Sequence, residues 1–213
     1  MSKRAKCSQC DFLESRCLCA YLFPIENQTT LIILQHPSET DHALNTVRLM
    51  KKTFQKIIVI TDEKFSLNSQ FMELYKNFKE SMGLLFLSPS SLPIENYSDR
   101  KLSSKITHLV LLDGTWKKAK KIFHLSPELH SLPNYALKSQ QKSQYRLRKS
   151  PIAGALSTLE ASVLALKIVE PTINLQSLEL LEKAFDKMIE NQIDKMGQET
   201  YQENYLRKKT KEK

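Results

Sequence analysis

The sequence predicts an α/β protein: a mostly parallel sheet flanked by helices, with a small zinc-binding segment at the N-terminus. Three observations support this prediction. Four short apolar runs alternate with helical segments, the fourth run ends at Asp113 and Gly114, and all four cysteines lie within the first 19 of 213 residues. Apolar runs separated by amphipathic segments are typical of βαβ units. A chain of this length is sufficient for one domain with a sizeable core.

The cysteines form two close pairs, Cys7 with Cys10 and Cys17 with Cys19. Such clustering in a chain without a visible signal peptide favours metal binding over disulfides, and four soft thiolates suit one tetrahedral zinc ion. A redox-active CxxC is the alternative, but that motif is expected in a βαβ unit and needs no second pair. Because protein ligands fill all four positions, we expect a structural zinc and assign it to residues 1–24.

The predicted strands are apolar runs typical of strands buried on both faces: 31–34, 57–60, 84–87 and 109–112. Residues 41–52 have helical character between the first two. Phe71, Leu74, Tyr75 and Phe78 repeat at the spacing of an amphipathic helix between the second and third. The polar segment 92–105 contains Pro93 and is interpreted as a loop.

The last third of the chain is predicted to be helical. Ser157 and Glu160 have the spacing of a capping box at a helix start, and Pro171 ends that helix. A second helix is predicted over 175–193. We therefore expect a catalytic domain over 25–195 and a basic tail over 196–213.

The candidate site follows the strand 109–112. Asp113, Gly114, Thr115 and Trp116, the only tryptophan, precede a helix-like segment with four lysines. Ligands of open α/β sheets bind at the carboxyl ends of the strands, so this edge suits chemistry on an anionic substrate. The alternative is that Asp113 or Thr115 only caps the next helix and that Trp116 belongs to the core.

The net charge of +9, from 32 basic and 23 acidic residues, favours attraction to nucleic acid. The most promising basic cluster lies within 138–149, which contains no acid. Its candidate RNA-binding residues are Lys142, Tyr145, Arg146, Arg148 and Lys149. The alternative is a merely solvated surface. A second cluster comprises Lys117, Lys118, Lys120 and Lys121.

Several classes are disfavoured. The absence of GxGxxG and Walker A sequences argues against a Rossmann or P-loop nucleotide site. No apolar stretch approaches the roughly 18 residues of a membrane span, and no signal peptide is visible. We therefore expect a cytoplasmic protein without a membrane partner, and no obligate protein partner is evident.

Taken together, these motifs resemble the DTW-domain family, the tRNA-uridine aminocarboxypropyltransferases. The resemblance extends over nearly the whole chain, from the cysteines to the capping box. Its other parts are Gln35-His36-Pro37-Ser38-Glu39, Asn45-Thr46-Val47-Arg48-Leu49, Asp113-Gly114-Thr115-Trp116, Tyr145-Arg146-Leu147-Arg148-Lys149 and Ser157-Thr158-Leu159-Glu160-Ala161. It implies a SPOUT-like, knotted α/β fold, in which S-adenosylmethionine is bound by backbone loops at the knot rather than by a glycine-rich loop.

The resemblance also implies a reaction: transfer of the 3-amino-3-carboxypropyl group of S-adenosylmethionine to N3 of a uridine in tRNA, releasing 5′-methylthioadenosine. The implied catalytic residues are Asp113, Thr115 and Trp116. The implied cofactor-binding residues are Gln35, His36, Arg48, Leu112, Asp113, Ser157 and Glu160. Simpler roles remain open, namely a hydrogen-bonded loop for His36 and helix capping for Glu160. A SPOUT-type RNA methyltransferase and a non-catalytic zinc-containing RNA-binding protein are the alternative functions.

Overall fold

The structure is a computed structural model that describes residues 5–42, 44–97, 105–138 and 156–206. Within these residues, six strands form one sheet in the order β2-β1-β5-β3-β6-β4, and each neighbouring pair is parallel. The strands are β1 (Thr30–Gln35), β2 (Ile57–Thr61), β3 (Met82–Leu85), β4 (Leu92–Pro93), β5 (His108–Asp113) and β6 (Asn134–Ala136). The predicted α/β class with a parallel sheet is confirmed.

Helices cover both faces of this sheet. They are α1 (Val47–Thr53), α2 (Ser69–Phe78), α3 (Trp116–Leu125), α4 (Thr158–Val169), α5 (Leu175–Met196) and α6 (Gln198–Tyr201). Short 3-10 turns connect several of them, and a π-helical turn, Gln202–Leu206, follows α6. Among the described residues, no helix is both long and apolar enough to cross a membrane.

Successive side chains of the central strands enter two separate cores. On β5, Leu109 and Leu111 pack into a core with α1, α4 and α5, whereas Val110 packs into a core with α2 and α3. This alternation follows from the two-residue period of a strand. Asp113, two residues after Leu111, has the same parity and therefore faces the α4 side of the sheet.

The sequence located β1, β2 and β5 more accurately than the strands on the other side of the sheet, β3, β6 and β4. β1, β2 and β5 extend the predicted runs by one or two residues, whereas β3 begins and ends two residues before its prediction. The interpretation of 92–105 as a loop is wrong at its start, where Leu92 and Pro93 form β4 beside β6. Proline is tolerated there because β4 is an edge strand.

α1 is shorter than predicted. It begins at Val47, not near residue 41, because the preceding residues form a turn, Pro37–Glu39, and a loop. The side chain of Asn45 accepts a hydrogen bond from Val47 N at 3.0 Å, which favours a helix start at this point. The predicted amphipathic helix around Phe71 is found as α2, and the predicted helix 175–193 is found as α5.

The predicted knot depends on how the chain passes from β6 to α4. That connection includes residues 139–155, which lie outside the described residues, so the knot stays a prediction. The division into 1–24, 25–195 and 196–213 likewise stays an interpretation of the sequence.

Candidate active site

Gln35 and Asp113 meet at the carboxyl ends of the neighbouring strands β1 and β5. They are opposite each other in the parallel register of β1 and β5, and Gln35 Nε2 donates to Asp113 Oδ2 at 2.8 Å. The backbone continues the pairing, because His36 N donates to the Asp113 carbonyl at 2.9 Å. The sequence-predicted residues Gln35, His36 and Asp113 are therefore brought together at the predicted edge of the sheet.

Thr158 joins this pair from the first turn of α4. Its hydroxyl donates to Asp113 Oδ1 at 2.6 Å, so each carboxylate oxygen of Asp113 accepts a side-chain hydrogen bond. Asp113 is only 8% exposed. Its negative charge lies at the N-terminus of α4, where the helix dipole favours an anion. The junction of Gln35, Asp113 and Thr158 thus ties β1, β5 and α4 together and holds a carboxylate in one orientation.

The capping box predicted at the start of α4 is present. Glu160 N donates to Ser157 Oγ at 3.2 Å, and Ser157 N donates to Glu160 Oε2 at 2.7 Å. Both side chains are buried. This box fixes the first turn of α4 and therefore the position of Thr158, which lies in a motif of the resemblance but was not among the expected site residues. A hydroxyl residue at the first helical position, next to a predicted cap, was the available signal.

Asn45 organises the loop between β1 and α1. Its Nδ2 donates to the carbonyls of Glu39 and Thr40 at 3.0 and 3.1 Å, and its Oδ1 lies 3.5 Å from Gln35 Nε2. The Gln35 amide therefore lies between Asn45 and Asp113. The sequence contained Asn45 in a recognised motif but gave no reason to place it beside Gln35.

Both ring nitrogens of His36 contact protein groups. Nδ1 accepts from Ser38 N at 3.2 Å, which leaves the proton on Nε2, and Nε2 lies 2.6 Å from Glu63 Oε1. The other oxygen of Glu63 lies 2.6 Å from Lys121 Nζ, and this lysine is the main cause of a lowered Glu63 pKa. The geometry matches the alternative of a hydrogen-bonded loop histidine. Glu63, which follows β2, was not a sequence-predicted site residue.

The Asp113–Trp116 segment divides between the two faces of the sheet. Thr115 is the N-cap of α3 and accepts from Lys118 N, so the capping role considered for this residue is found. Trp116 packs near Phe86 on the α3 side, with ring centroids 5.9 Å apart. Leu112 packs partly on the same side. Trp116 Nε1 is buried and has no hydrogen-bond partner among the described residues.

The lysines of α3 fall into two pairs. Lys118 Nζ lies 2.7 Å from Glu39 Oε1, and Lys121 pairs with Glu63 as described above. Lys117 and Lys120 are exposed. Half of the basic cluster predicted on this segment is therefore neutralised by acids of the β1–α1 and β2–α2 loops.

The four cysteine sulfurs form a compact cluster with the geometry of a zinc site. Cys7 Sγ lies 3.6 Å from Cys19 Sγ, Cys10 Sγ lies 3.7 Å from Cys17 Sγ, and all four atoms lie within 4.8 Å of one another. Zn–S bonds of about 2.3 Å in a tetrahedron require sulfur separations of about 3.8 Å. The cysteines are free thiols, not disulfides. The residues present therefore fit one tetrahedral zinc ion.

Backbone hydrogen bonds also suit Cys7 to a ligand role. Amides of Cys10 and Gln9 lower the pKa of Cys7 to about 6, whereas the neighbouring thiol of Cys17 is the main cause that raises the pKa of Cys19 to about 12. Several thiolates in so small a space repel one another unless a cation neutralises them. A zinc ion would supply that charge.

Arg48 contacts the cysteine segment. Its guanidinium donates to the Asp11 carbonyl at 3.2 Å and lies 4.6 Å from the centre of the Phe12 ring. Lys52, one turn further along α1, pairs with the Asp11 carboxylate at 2.8 Å. These contacts dock the cysteine segment on α1, and none of them connects Arg48 with Asp113. The predicted RNA-binding residues Lys142, Tyr145, Arg146, Arg148 and Lys149 lie outside the described residues.

A parallel sheet with a buried carboxylate at its carboxyl edge, together with a four-cysteine segment docked on α1, defines the class of this protein: an α/β domain with an N-terminal candidate metal site. The chain belongs to the DTW domain family, whose model matches residues 4–193. No solved structure was found to match the chain.

Relatives with assigned names come from animals and a plant. The chain is 35% identical to "tRNA-uridine aminocarboxypropyltransferase 2" of Mus musculus, over 79% of this chain and 57% of that protein. It is 30% identical to the protein of the same name from Drosophila melanogaster, over 97% of this chain and 82% of the relative. The chain is also 27% identical to "tRNA-uridine aminocarboxypropyltransferase A" of Arabidopsis thaliana, over 79% of this chain and 74% of the relative. The chain thus spans little more than half the length of the mouse protein.

Proposed function

We propose that this protein transfers the 3-amino-3-carboxypropyl group of S-adenosylmethionine to N3 of a uridine in tRNA. The observation that carries the proposal is membership of the DTW domain family, together with relatives named tRNA-uridine aminocarboxypropyltransferase that align with most of this chain. In this reaction N3 of uridine loses its proton and attacks the γ-carbon of the donor. The bond between that carbon and sulfur breaks, its electron pair stays on sulfur, and 5′-methylthioadenosine leaves.

Asp113 is proposed to take or stabilise the N3 proton. Uridine N3 needs a base because its pKa is comparable to that of cysteine or tyrosine. Hydrogen bonds from Gln35 and Thr158 fix the orientation of the Asp113 carboxylate, and a fixed base at the strand edge suits proton abstraction from a positioned ring. The single lone pair of His36 Nδ1 accepts from Ser38 N, and Nε2 carries the ring proton toward Glu63. A carboxylate oxygen has a second lone pair in addition to the one that accepts a hydrogen bond, which favours Asp113 over His36 in this role.

The donor is proposed to bind at the same edge, with Gln35, His36, Arg48, Leu112, Asp113, Ser157 and Glu160 as its candidate contacts. S-adenosylmethionine carries two positively charged groups, a sulfonium and an ammonium. The negative charge of the Asp113 carboxylate is complementary to them. Trp116 Nε1 is a buried donor without a partner in the described structure, and a polar group of the ligand would satisfy it. We therefore propose that Thr115 and Trp116 also act at the carboxyl edge of the sheet. Thr115 would act there by capping the N-terminus of α3.

The zinc ion is proposed to be structural. Cys7, Cys10, Cys17 and Cys19 supply four thiolates and leave no open coordination position for a substrate. The RNA contacts are proposed to include Lys142, Tyr145, Arg146, Arg148 and Lys149, because this segment combines cations with an aromatic ring and contains no acid.

The products distinguish this function from its alternatives. Purified protein is incubated with unmodified tRNA and S-adenosylmethionine, and the nucleosides and small molecules are analysed by mass spectrometry. We expect an aminocarboxypropyl-uridine together with 5′-methylthioadenosine. A methylated nucleoside with S-adenosylhomocysteine would assign a methyltransferase instead, and tRNA binding without any product would assign a non-catalytic RNA-binding protein.

A further inference from the structure

We propose that the exposed face of α3 is a docking surface for the phosphate backbone of the tRNA. The surface, called here the α3 stripe, consists of Lys117, Lys120 and His124. The proposal rests on the proposed function and adds the face of the molecule by which the RNA approaches.

The stripe follows from helical geometry. Residues 117, 120 and 124 are spaced by three and four positions, so their side chains project from one side of α3. All three residues are exposed, whereas Ala119 and Ile122 on the opposite side are buried in the core. α3 contains no acidic residue. The stripe therefore presents cations, and a ring N–H of His124, to solvent on a rigid element.

Lys118 and Lys121 of the same helix differ from the two lysines of the stripe because they form ion pairs. Lys118 and Lys121 are held at 2.7 and 2.6 Å by Glu39 and Glu63, where they fix the loops that follow β1 and β2. Within the described ranges, neither Lys117 nor Lys120 pairs with a carboxylate. The charges of Lys117 and Lys120 are thus available to an external anion. Such a lysine releases counterions when it contacts a phosphate, which favours binding.

The stripe begins close to the proposed active site. α3 begins three residues after Asp113, and at 1.5 Å per residue the stripe extends about 10 Å along the helix. A nucleotide strand that places one base at Asp113 and crosses the carboxyl edge of the sheet would reach the face that α3 covers. By contrast, α5 carries five acidic residues against three lysines, and its charge repels a polyanion.

The test compares two double variants of the full chain. Lys117→Gln with Lys120→Gln removes the two free charges of the stripe. Lys183→Gln with Lys195→Gln removes the same charge from exposed positions of α5 and is the matched control. Binding of unmodified tRNA is measured over a range of salt concentrations. We expect the plot of log K against log salt to be less steep for the stripe variant, by about 1.4–1.8 in the magnitude of its slope, since each phosphate contact contributes about 0.7–0.9. The control should leave the slope unchanged.

Two results would overturn the proposal: a wild-type slope in the stripe variant, or an equal loss in both double variants. A wild-type slope together with a changed oligomeric state would assign the stripe to a second copy of the chain. Circular dichroism melting establishes that both variants fold. The binding measurement needs no turnover. A less steep slope in the stripe variant, together with no modified uridine from the wild-type protein, would contradict the proposed function but would still support the α3 stripe as an RNA-binding surface.

Discussion

The amide of Gln35 on β1 donates to the carboxylate of Asp113 on the neighbouring strand β5, with 2.8 Å between Nε2 and Oδ2. Both residues are buried at the carboxyl edge of the sheet, and Thr158 occupies the other carboxylate oxygen. Two donors, one on each carboxylate oxygen, restrict the rotation of this side chain. This oriented charge is the centre of the proposed active site.

Asp113→Asn tests the role of that charge. The asparagine keeps the shape of the side chain, and the Thr158 hydroxyl can accept from its amide, so the junction survives. If the carboxylate takes or stabilises the N3 proton, turnover should fall by roughly 10²–10⁴. The affinities for tRNA and S-adenosylmethionine should change far less, and a higher pH should partly restore turnover because uridine then ionises unaided.

The control is Thr158→Val, which removes one donor and leaves the carboxylate. Its turnover should exceed that of Asp113→Asn at every pH, as measured by the rate of 5′-methylthioadenosine release. Near wild-type release by Asp113→Asn would exclude a catalytic charge at this position.

The cysteine cluster predicts one zinc ion per chain, measured by elemental analysis of protein purified without added metal. Cys10→Ser should lose the ion and lower the melting temperature, because the segment that docks on α1 loses its cross-link. Lys52→Met is the matched control, since it breaks the ion pair with Asp11 and leaves the four ligands intact. Metal-free wild-type protein, or a disulfide between these cysteines, would contradict the zinc assignment.

The pair of Glu63 with Lys121 predicts an acid-dependent contribution to stability. Lys121 lowers the Glu63 pKa in the folded protein, so this contribution is present above the usual glutamate pKa and is lost as the pH falls through the lowered value. Wild-type protein should therefore lose more stability than Glu63→Gln on acidification below about pH 4.5. Chemical denaturation at a series of pH values measures the difference.

Lys121→Met is the companion to that experiment because it removes the main cause of the lowered Glu63 pKa. Its acid dependence should resemble that of Glu63→Gln. Parallel stability curves for the wild type and both variants would show that the pair contributes nothing measurable, as is common for exposed ion pairs.

Glu170 is expected to be a structural carboxylate. Its oxygens accept from the backbone amides of Gln28 and Thr29 at 2.7 and 3.0 Å, which joins the end of α4 to the start of β1. Glu170→Ala should cost about 1–3 kcal/mol of unfolding free energy, because the buried amide of Thr29 loses its acceptor. Glu179→Ala, at an exposed site on α5, should stay within about 0.5 kcal/mol of wild type. Equal unfolding free energies for the two variants would contradict this role.

The fold was predictable where apolar periodicity is strong. The runs 31–34, 57–60 and 109–112 pack into both cores and were located closely, whereas β4 and β6 have two and three residues and carry no such pattern. Their pairing depends on contacts between Leu92 and Tyr135, which are distant in sequence. No local pattern specifies such a contact.

The candidate site was predictable in part for the same reason. Asp113 follows a buried strand, so its place at the sheet edge came from the sequence. Thr158 and Glu63 reach that edge from elements 45 residues after and 50 residues before it along the chain, and only the tertiary structure shows their contacts with Asp113 and His36. Arg48 contacts Asp11 and Phe12 of the cysteine segment, and its role at the cofactor stays a prediction.

The most direct test of the central claim follows the fate of the donor carbon atoms. Protein and unmodified tRNA are incubated with S-adenosylmethionine that carries one isotope in the carboxyl group and another in the methyl group. Transfer of the aminocarboxypropyl chain predicts that the carboxyl label enters uridine in the tRNA while the methyl label leaves in 5′-methylthioadenosine. Methyl label in the tRNA, with the carboxyl label left in S-adenosylhomocysteine, would contradict the proposed function.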